Sequence, residues 1–244
     1  MNEIKMIFSS FIESIPLYKK IKFKGKKTIP IIIILLLALL HFFIGDKISD
    51  FLIIFLKEHI KIGTFTEKAI QYISKLGTII IYFYSYKFLV LSIFSPFLSK
   101  YSETIEDFYQ NKNYNFGFIQ NLKFMFRGIG ISIVCLIIET SFTGTFFFLG
   151  IFIPFKFIFY FLTLLIQNFF VAYSFADYFF ERREYGIKES LKEAFKNFLP
   201  LSFIGILFTL FLLIPVIGII YGPVYFTGVT TLYLLKKNRM YNKS

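Results

Sequence analysis

The sequence predicts an all-α integral membrane protein: long transmembrane helices, two interrupted helical hairpins, the second with arms too short to cross a bilayer, and an N-terminal interfacial helix. Three observations carry this. Residues 197–235 run 39 positions without a charged side chain, between Lys196 and Lys236. Of 244 residues, 56% are hydrophobic, 22% aromatic and only 17% charged, which leaves no separate soluble domain. Basic zones at 19–27, 100–127, 182–196 and 236–243 alternate with the apolar stretches and carry most of the +12 net charge. A single membrane domain over 1–244 follows.

Residues 1–18 form the interfacial helix. Ile4, Ile7, Phe8, Phe11, Ile12 and Ile15 recur at helical spacing, with Ser9, Ser10, Glu13 and Ser14 on the opposite, polar face. Pro16 and Gly25 bracket a Lys-rich turn, and Pro30 suits the first turn of the long helix expected over 29–60. A second long helix is expected over 76–110. Its residues 76–98 are apolar except for Lys87 near the middle. Past Pro96 an apolar stripe of Tyr101, Ile105 and Phe108 continues beside Glu103, Glu106 and Asp107. Residues 46–75 carry five Lys against four acids and are the natural far-side segment. Basic loops stay cytoplasmic, so both termini are expected there. No small-residue cleavage pattern follows the apolar 31–40, and the first apolar helix is expected to be retained.

The first hairpin spans 128–177. It is interrupted at Thr143-Gly144-Thr145 and at 150–154, with only Glu139 and Lys156 charged in its apolar part. Its length leaves full crossing and partial penetration both open. An amphipathic connector follows over 181–197, where Ile187, Leu191, Ala194, Phe195 and Phe198 share a face and Glu184 precedes Lys188 by four. The second hairpin spans 198–235, broken by Ile214-Pro215-Val216-Ile217-Gly218 and Gly222-Pro223. A helix needs about 20 apolar residues to cross a ~30 Å core. The arms here, 198–213 and 224–235, have 16 and 12 residues, and at ~1.5 Å per residue the shorter reaches about 18 Å. The apex, Pro215, Gly218, Gly222 and Pro223, is therefore expected inside the bilayer. Non-helical backbone at that depth must be covered by protein or line a polar path. Residues 236–244 form a basic tail.

The single Cys135 excludes an internal disulfide. There is no P-loop, dinucleotide-binding glycine pattern or zinc-protease helix signature, and His41 and His59 lack ligand partners at metal spacing. No enzyme activity, catalytic residue, metal or cofactor is expected. The cations flank membrane spans, so anionic lipid headgroups rather than nucleic acid are the expected partner. Lys87 and Glu139 are the ionisable groups deepest in apolar runs. Such groups face a bundle interior or a water-filled cavity, so they are read as permeation-path residues or as one buried ion pair. Asp177 with Arg182 and Arg183 reads as a local interfacial salt bridge.

The order of pieces resembles the CysZ sulfate permeases of bacteria and their eukaryotic etoposide-induced relatives. The residues that carry the resemblance are the basic turn before Pro30, Ser95-Pro96-Phe97 followed by Glu103 and Glu106, and Tyr173 through Asp177-Tyr178 to Arg182-Arg183. They continue with 203–205, Ile214-Pro215-Val216-Ile217-Gly218, Pro223 and Gly228-Val229-Thr230-Thr231-Leu232. The resemblance implies two long transmembrane helices with two partly penetrating hairpins, assembly as a homo-oligomer, an inner-membrane location, and sulfate uptake for cysteine biosynthesis. It also implies an anion site ahead of the first membrane helix, at Gly25, Lys26 and Lys27. The chain has lysine at both basic positions where the family pattern has arginine. Lysine is a point charge without the planar fork, and free amides at a helix start add to an anion's stabilisation. The resemblance thus points to a permease or channel for sulfate or a similar small anion. The alternative from another class is a membrane-shaping or scaffold protein that transports nothing.

Overall fold

The computed structural model describes residues 3–20, 64–110, 117–152, 156–214 and 217–241, with scattered positions between 39 and 55. Its described elements are all helical: α1 (Glu3–Lys20), α2 (Thr64–Gln110), α3 (Phe118–Phe152), α4 (Lys156–Glu181), α5 (Ile187–Phe195), α6 (Phe198–Leu212) and α7 (Ile217–Tyr241). The chain divides into two units, one comprising Met1–Phe23 with Leu91–Ser244 and the other Lys24–Val90. In the smaller unit Lys75 lies 3.4 Å from Asp46, a half-exposed pair, and Phe51 stacks on Phe55.

Two described helices are long and apolar enough to cross a bilayer, Leu122–Phe152 and Phe157–Glu181. Counting α5 and α6 as one broken span adds a third; they meet at a bend of 91°. Helices α3 and α4 run antiparallel. Gln167 donates to Thr143 at 3.2 Å, and the rings of Phe146 and Phe159 lie 5.9 Å apart. Around their connection Phe147, Phe148, Ile151, Phe152, Phe157 and Phe161 are all exposed. An apolar surface of that kind is matched by lipid rather than water. Contrary to the sequence expectation, α3 runs unbroken through Thr143-Gly144-Thr145. The Thr145 hydroxyl donates to the Ser141 carbonyl at 2.8 Å, a bond made within the helix.

The second half of α4 is the centre of the larger unit: residues 168–182 are buried without exception. Helix α6 packs on it most extensively. Gly205 permits this, because a Cβ there would fall on the Asn168 backbone carbonyl. Thr209 donates to the Asn168 side-chain oxygen at 2.6 Å across the same contact. Helix α7 returns along α6 with Phe208 and Phe226 edge-to-face at 5.4 Å. Of the four expected apex residues, Gly218 and Gly222 lie where α7 closes on α6, Gly218 against the Phe211 carbonyl and Gly222 against the Phe208 ring. Pro223 is buried in the second turn of α7, which runs unbroken through Gly222-Pro223, contrary to the break expected there; Pro215 lies outside the described residues. Leu213, Ile214 and Ile217 beside the turn are exposed, Leu213 to 73%.

Helix α1 packs on α7. The Tyr225 hydroxyl donates to the Phe11 carbonyl at 2.6 Å, Ser14 donates to the Tyr225 carbonyl, and Lys236 pairs with Glu13 at 2.9 Å. The serines expected on a water-facing side are instead turned inward: Ser10 and Ser14 are fully buried, while Ile4, Phe8, Ile12 and Ile15 are exposed. Small hydroxyl residues let two helix backbones approach closely, and Gly228 on α7 meets Ser14 at this seam. Burial alone would push the Glu13 carboxyl up, but the Tyr109 hydroxyl bonded to it and the Lys236 ammonium hold it below its usual value. The same burial and the Glu13 partner push Tyr109 up to about 12.

Candidate functional site

A polar seam built on α2 runs through the interior of the larger unit. Ser95, Ser99, Ser102 and Glu106 follow one another at intervals of four, three and four, which places them on one helix face. All four are buried. Pro96 has no N–H for the carbonyl four residues back; one position earlier, the Leu91 carbonyl accepts the Tyr178 hydroxyl at 3.0 Å. The opposite wall is the end of α4, where Asp177 and Glu181 stand one turn apart, followed by Arg182 and Arg183. The Ser99 hydroxyl donates to Glu181, and the Ser102 and Thr231 hydroxyls are bonded at 2.6 Å.

Two ion-pair groups lie in this seam. Arg182 and Glu106 are both completely buried, with Nε 3.0 Å from Oε2, and Arg182 also donates to the Ser102 hydroxyl at 2.7 Å. Arg183 takes the other Glu106 oxygen at 2.6 Å and the Phe179 carbonyl at 2.9 Å, its guanidinium 3.4 Å from the Phe179 ring centre. Arg127 from α3 grips Asp177 bidentately, at 2.9 and 2.8 Å, and donates to the Tyr185 carbonyl. Ser190 of α5 donates to the same carboxylate. Burial would raise the Glu106 carboxyl, but Arg182 and Arg183 outweigh it and hold the group below the usual carboxylate range. The stability this supplies is present above that range and lost as pH falls through the depressed pKa. The apparent melting temperature of the detergent-solubilised protein is therefore expected to drop on acidification, and to drop less steeply in Glu106→Gln.

These pairings correct the expected local bridge. Asp177 is held by Arg127, fifty residues earlier, while Arg182 and Arg183 go to Glu106. An arginine adjacent to the end of its own helix points away from a carboxylate more than a turn back, whereas α2 presents Glu106 directly to it. Of the other expected site residues, Glu139 is fully buried on α3. Lys87 is in α2, but its side chain lies outside the described residues, as do Gly25, Lys26 and Lys27. Among the described residues no three metal-ligating side chains converge.

Arg127, Glu181, Ser99 and Ser102 were not singled out by the sequence. The serine and glutamate spacing on α2 was legible as a polar face, but nothing local says that α4 covers it. The seam also gathers residues widely separated in the chain that carried the family resemblance: Ser95, Glu106, Asp177, Tyr178, Arg182, Arg183 and Thr231. Glu106 and Asp177 are each held by arginine, whereas Glu181, in the same seam, accepts from the Ser99 hydroxyl and forms no ion pair among the described residues.

No curated protein matches the chain. A family model described as sulfate transporter CysZ/etoposide-induced protein 2.4 matches residues 11–223. That match covers α1 from Phe11 onward, the polar seam except Thr231, all of α3 to α6 and the start of α7, and the chain belongs to this family.

Proposed function

We propose that the chain is a permease or channel for sulfate or a similar small anion, seated in the bacterial inner membrane with both termini cytoplasmic, working as a homo-oligomer and supplying sulfur assimilation. The family match over residues 11–223 carries this reading, and the exposed apolar helices supply its membrane setting. The anion is held at Gly25, Lys26 and Lys27, where glycine lets backbone approach an oxyanion and the lysines add charge at the start of the following helix. In this reading Glu139 and Lys87 either line the polar route or form one buried ion pair.

Equilibrium sulfate binding to the purified protein tests the site. Lys27→Gln is expected to weaken binding by about 1.5–3 kcal/mol, the range for a hydrogen bond to a charged group, while Lys19→Gln leaves it unchanged. Equal effects of the two substitutions would reduce the site to a diffuse basic surface.

The α6–α7 turn, in the same reading, lies within the bilayer. The 15 residues of α6 reach about 22 Å, short of the ~30 Å core. Single cysteines at Val216 and Ile219 in a Cys135→Ala background are expected to resist a bulky impermeant thiol reagent from either side. Ready labelling from the outer side would mean two complete crossings.

A further inference from the structure

Three helices change character at the same place. Helix α4 ends its apolar course at Arg182 and Arg183, the 91° bend between α5 and α6 carries Lys196, and α7 passes from an uncharged stretch to Lys236 and Lys237. Between these three transitions lies a cleft of about 460 Å³. Its inner wall is apolar, formed by Phe179, Phe180 and Leu234, all nearly inaccessible. Its rim bears three cations, Arg183, Lys196 and Lys237, each of which also meets a carboxylate, Glu106, Glu193 and Glu3 in turn.

We propose that this cleft binds an anionic phospholipid, with the headgroup phosphate at Lys196, Lys237 and Arg183 and the glycerol backbone against the stems of these side chains, Phe179, Phe180 and Leu234 forming the closed apolar floor beneath. A helix that lies flat and then plunges marks the level where water gives way to hydrocarbon. Helix α5 is polar on most of its surface and α6 has no charge at all, so their bend at Lys196 sits at headgroup depth. The cations there are engaged yet not exhausted. Lys196 bonds Glu193, Lys237 bonds Glu3 at 2.7 Å and lies 6.0 Å from the Tyr233 ring centre, and Arg183 bonds Glu106 and the Phe179 carbonyl at 2.6 and 2.9 Å. An ammonium has three donors and a guanidinium five, so Lys237 and Arg183 keep N–H groups for a phosphate beyond those bonds. Basic pockets between apolar helices on the cytoplasmic side are the setting in which anionic headgroups are held. The cleft lies within the size range of small-molecule sites, about 300–1,000 Å³, and is far larger than one inorganic anion needs.

The chain has no tryptophan, so Tyr185→Trp, at the mouth of the cleft, gives a single fluorescent reporter. Titration in detergent with short-chain phosphatidylglycerol is expected to saturate. Phosphatidylcholine of the same chain length and free glycerol 3-phosphate should bind at least tenfold more weakly. The double substitution Lys196→Gln/Lys237→Gln should lower phosphatidylglycerol affinity tenfold or more, whereas Lys192→Gln, an exposed cation on α5 outside the cleft, should not. Native mass spectrometry of the unlabelled protein provides a second reading: retained phosphatidylglycerol should be lost in the double variant and kept in Lys192→Gln. Equal binding of phosphatidylcholine, or equal losses in the two variants, would overturn the site. Glycerol 3-phosphate binding as tightly as the lipid would assign the cleft to a soluble phosphate and overturn the lipid.

Discussion

Glu106→Leu is expected to destabilise the protein by about 3–5 kcal/mol, the range for removing one partner of a buried ion pair. Both oxygens of Glu106 are in use, one on Arg182 and one on Arg183, and neither the Glu106 nor the Arg182 side chain has contact with solvent. Without the carboxylate, Arg182 keeps, among the described residues, the Ser102 hydroxyl and the Ser99 carbonyl, at 2.7 and 3.4 Å, and no ion pair. Arg183 is less constrained, since it is 22% exposed at its side chain and can turn to water. The second substitution that restores stability is therefore Arg182→Met rather than a change at Arg183. Unfolding in mixed detergent micelles should show Glu106→Leu/Arg182→Met less destabilised than Glu106→Leu alone. Strictly additive losses would contradict the pairing.

The second large effect is expected at Gly205. Alanine in place of a helix-interior glycine ordinarily gains about 0.5–1 kcal/mol. At Gly205 the added methyl meets the Asn168 backbone carbonyl, which no rotamer change can move. Helix α6 must then withdraw from α4, loosening the Phe175–Phe208 contact at 5.1 Å and the Thr209–Asn168 bond. Overpacking of this kind costs about 1–3 kcal/mol and sometimes more. Gly144 on α3 provides the contrast, because nothing lies within 4 Å of a Cβ placed there. Gly144→Ala should stabilise while Gly205→Ala destabilises, both measured by the same unfolding assay. Matching signs would contradict the close approach of α4 and α6.

Charge-free runs bounded by cations were legible, because lipid imposes composition directly on the chain. That is why the apolar course of α6 and of α7 up to Leu235 could be read from residues 198–235, and that of α3 and α4 from 128–177, where only Glu139, Lys156 and Asp177 are charged. The helical continuity of Thr143-Gly144-Thr145 was not, since threonine and glycine mark a turn in water but stay helical where hydroxyls have only the preceding turn to bond. Ser10 and Ser14 misled for a related reason: a small polar face suits water or a closely packed helix equally, and only the presence of Gly228 opposite decides between them. The Arg127–Asp177 pair had no local signal at all. Spacing along one helix reveals which residues share a face, not which other helix that face will meet.

Sulfate flux tests the central claim most directly. Purified protein in liposomes, given an inward gradient of radiolabelled sulfate, is expected to take it up faster than protein-free liposomes, with saturation, and with slower uptake at low concentration in Lys27→Gln than in Lys19→Gln. Uptake no faster than in protein-free liposomes, by protein shown to be folded and inserted, would contradict anion permeation and leave a membrane scaffold in its place.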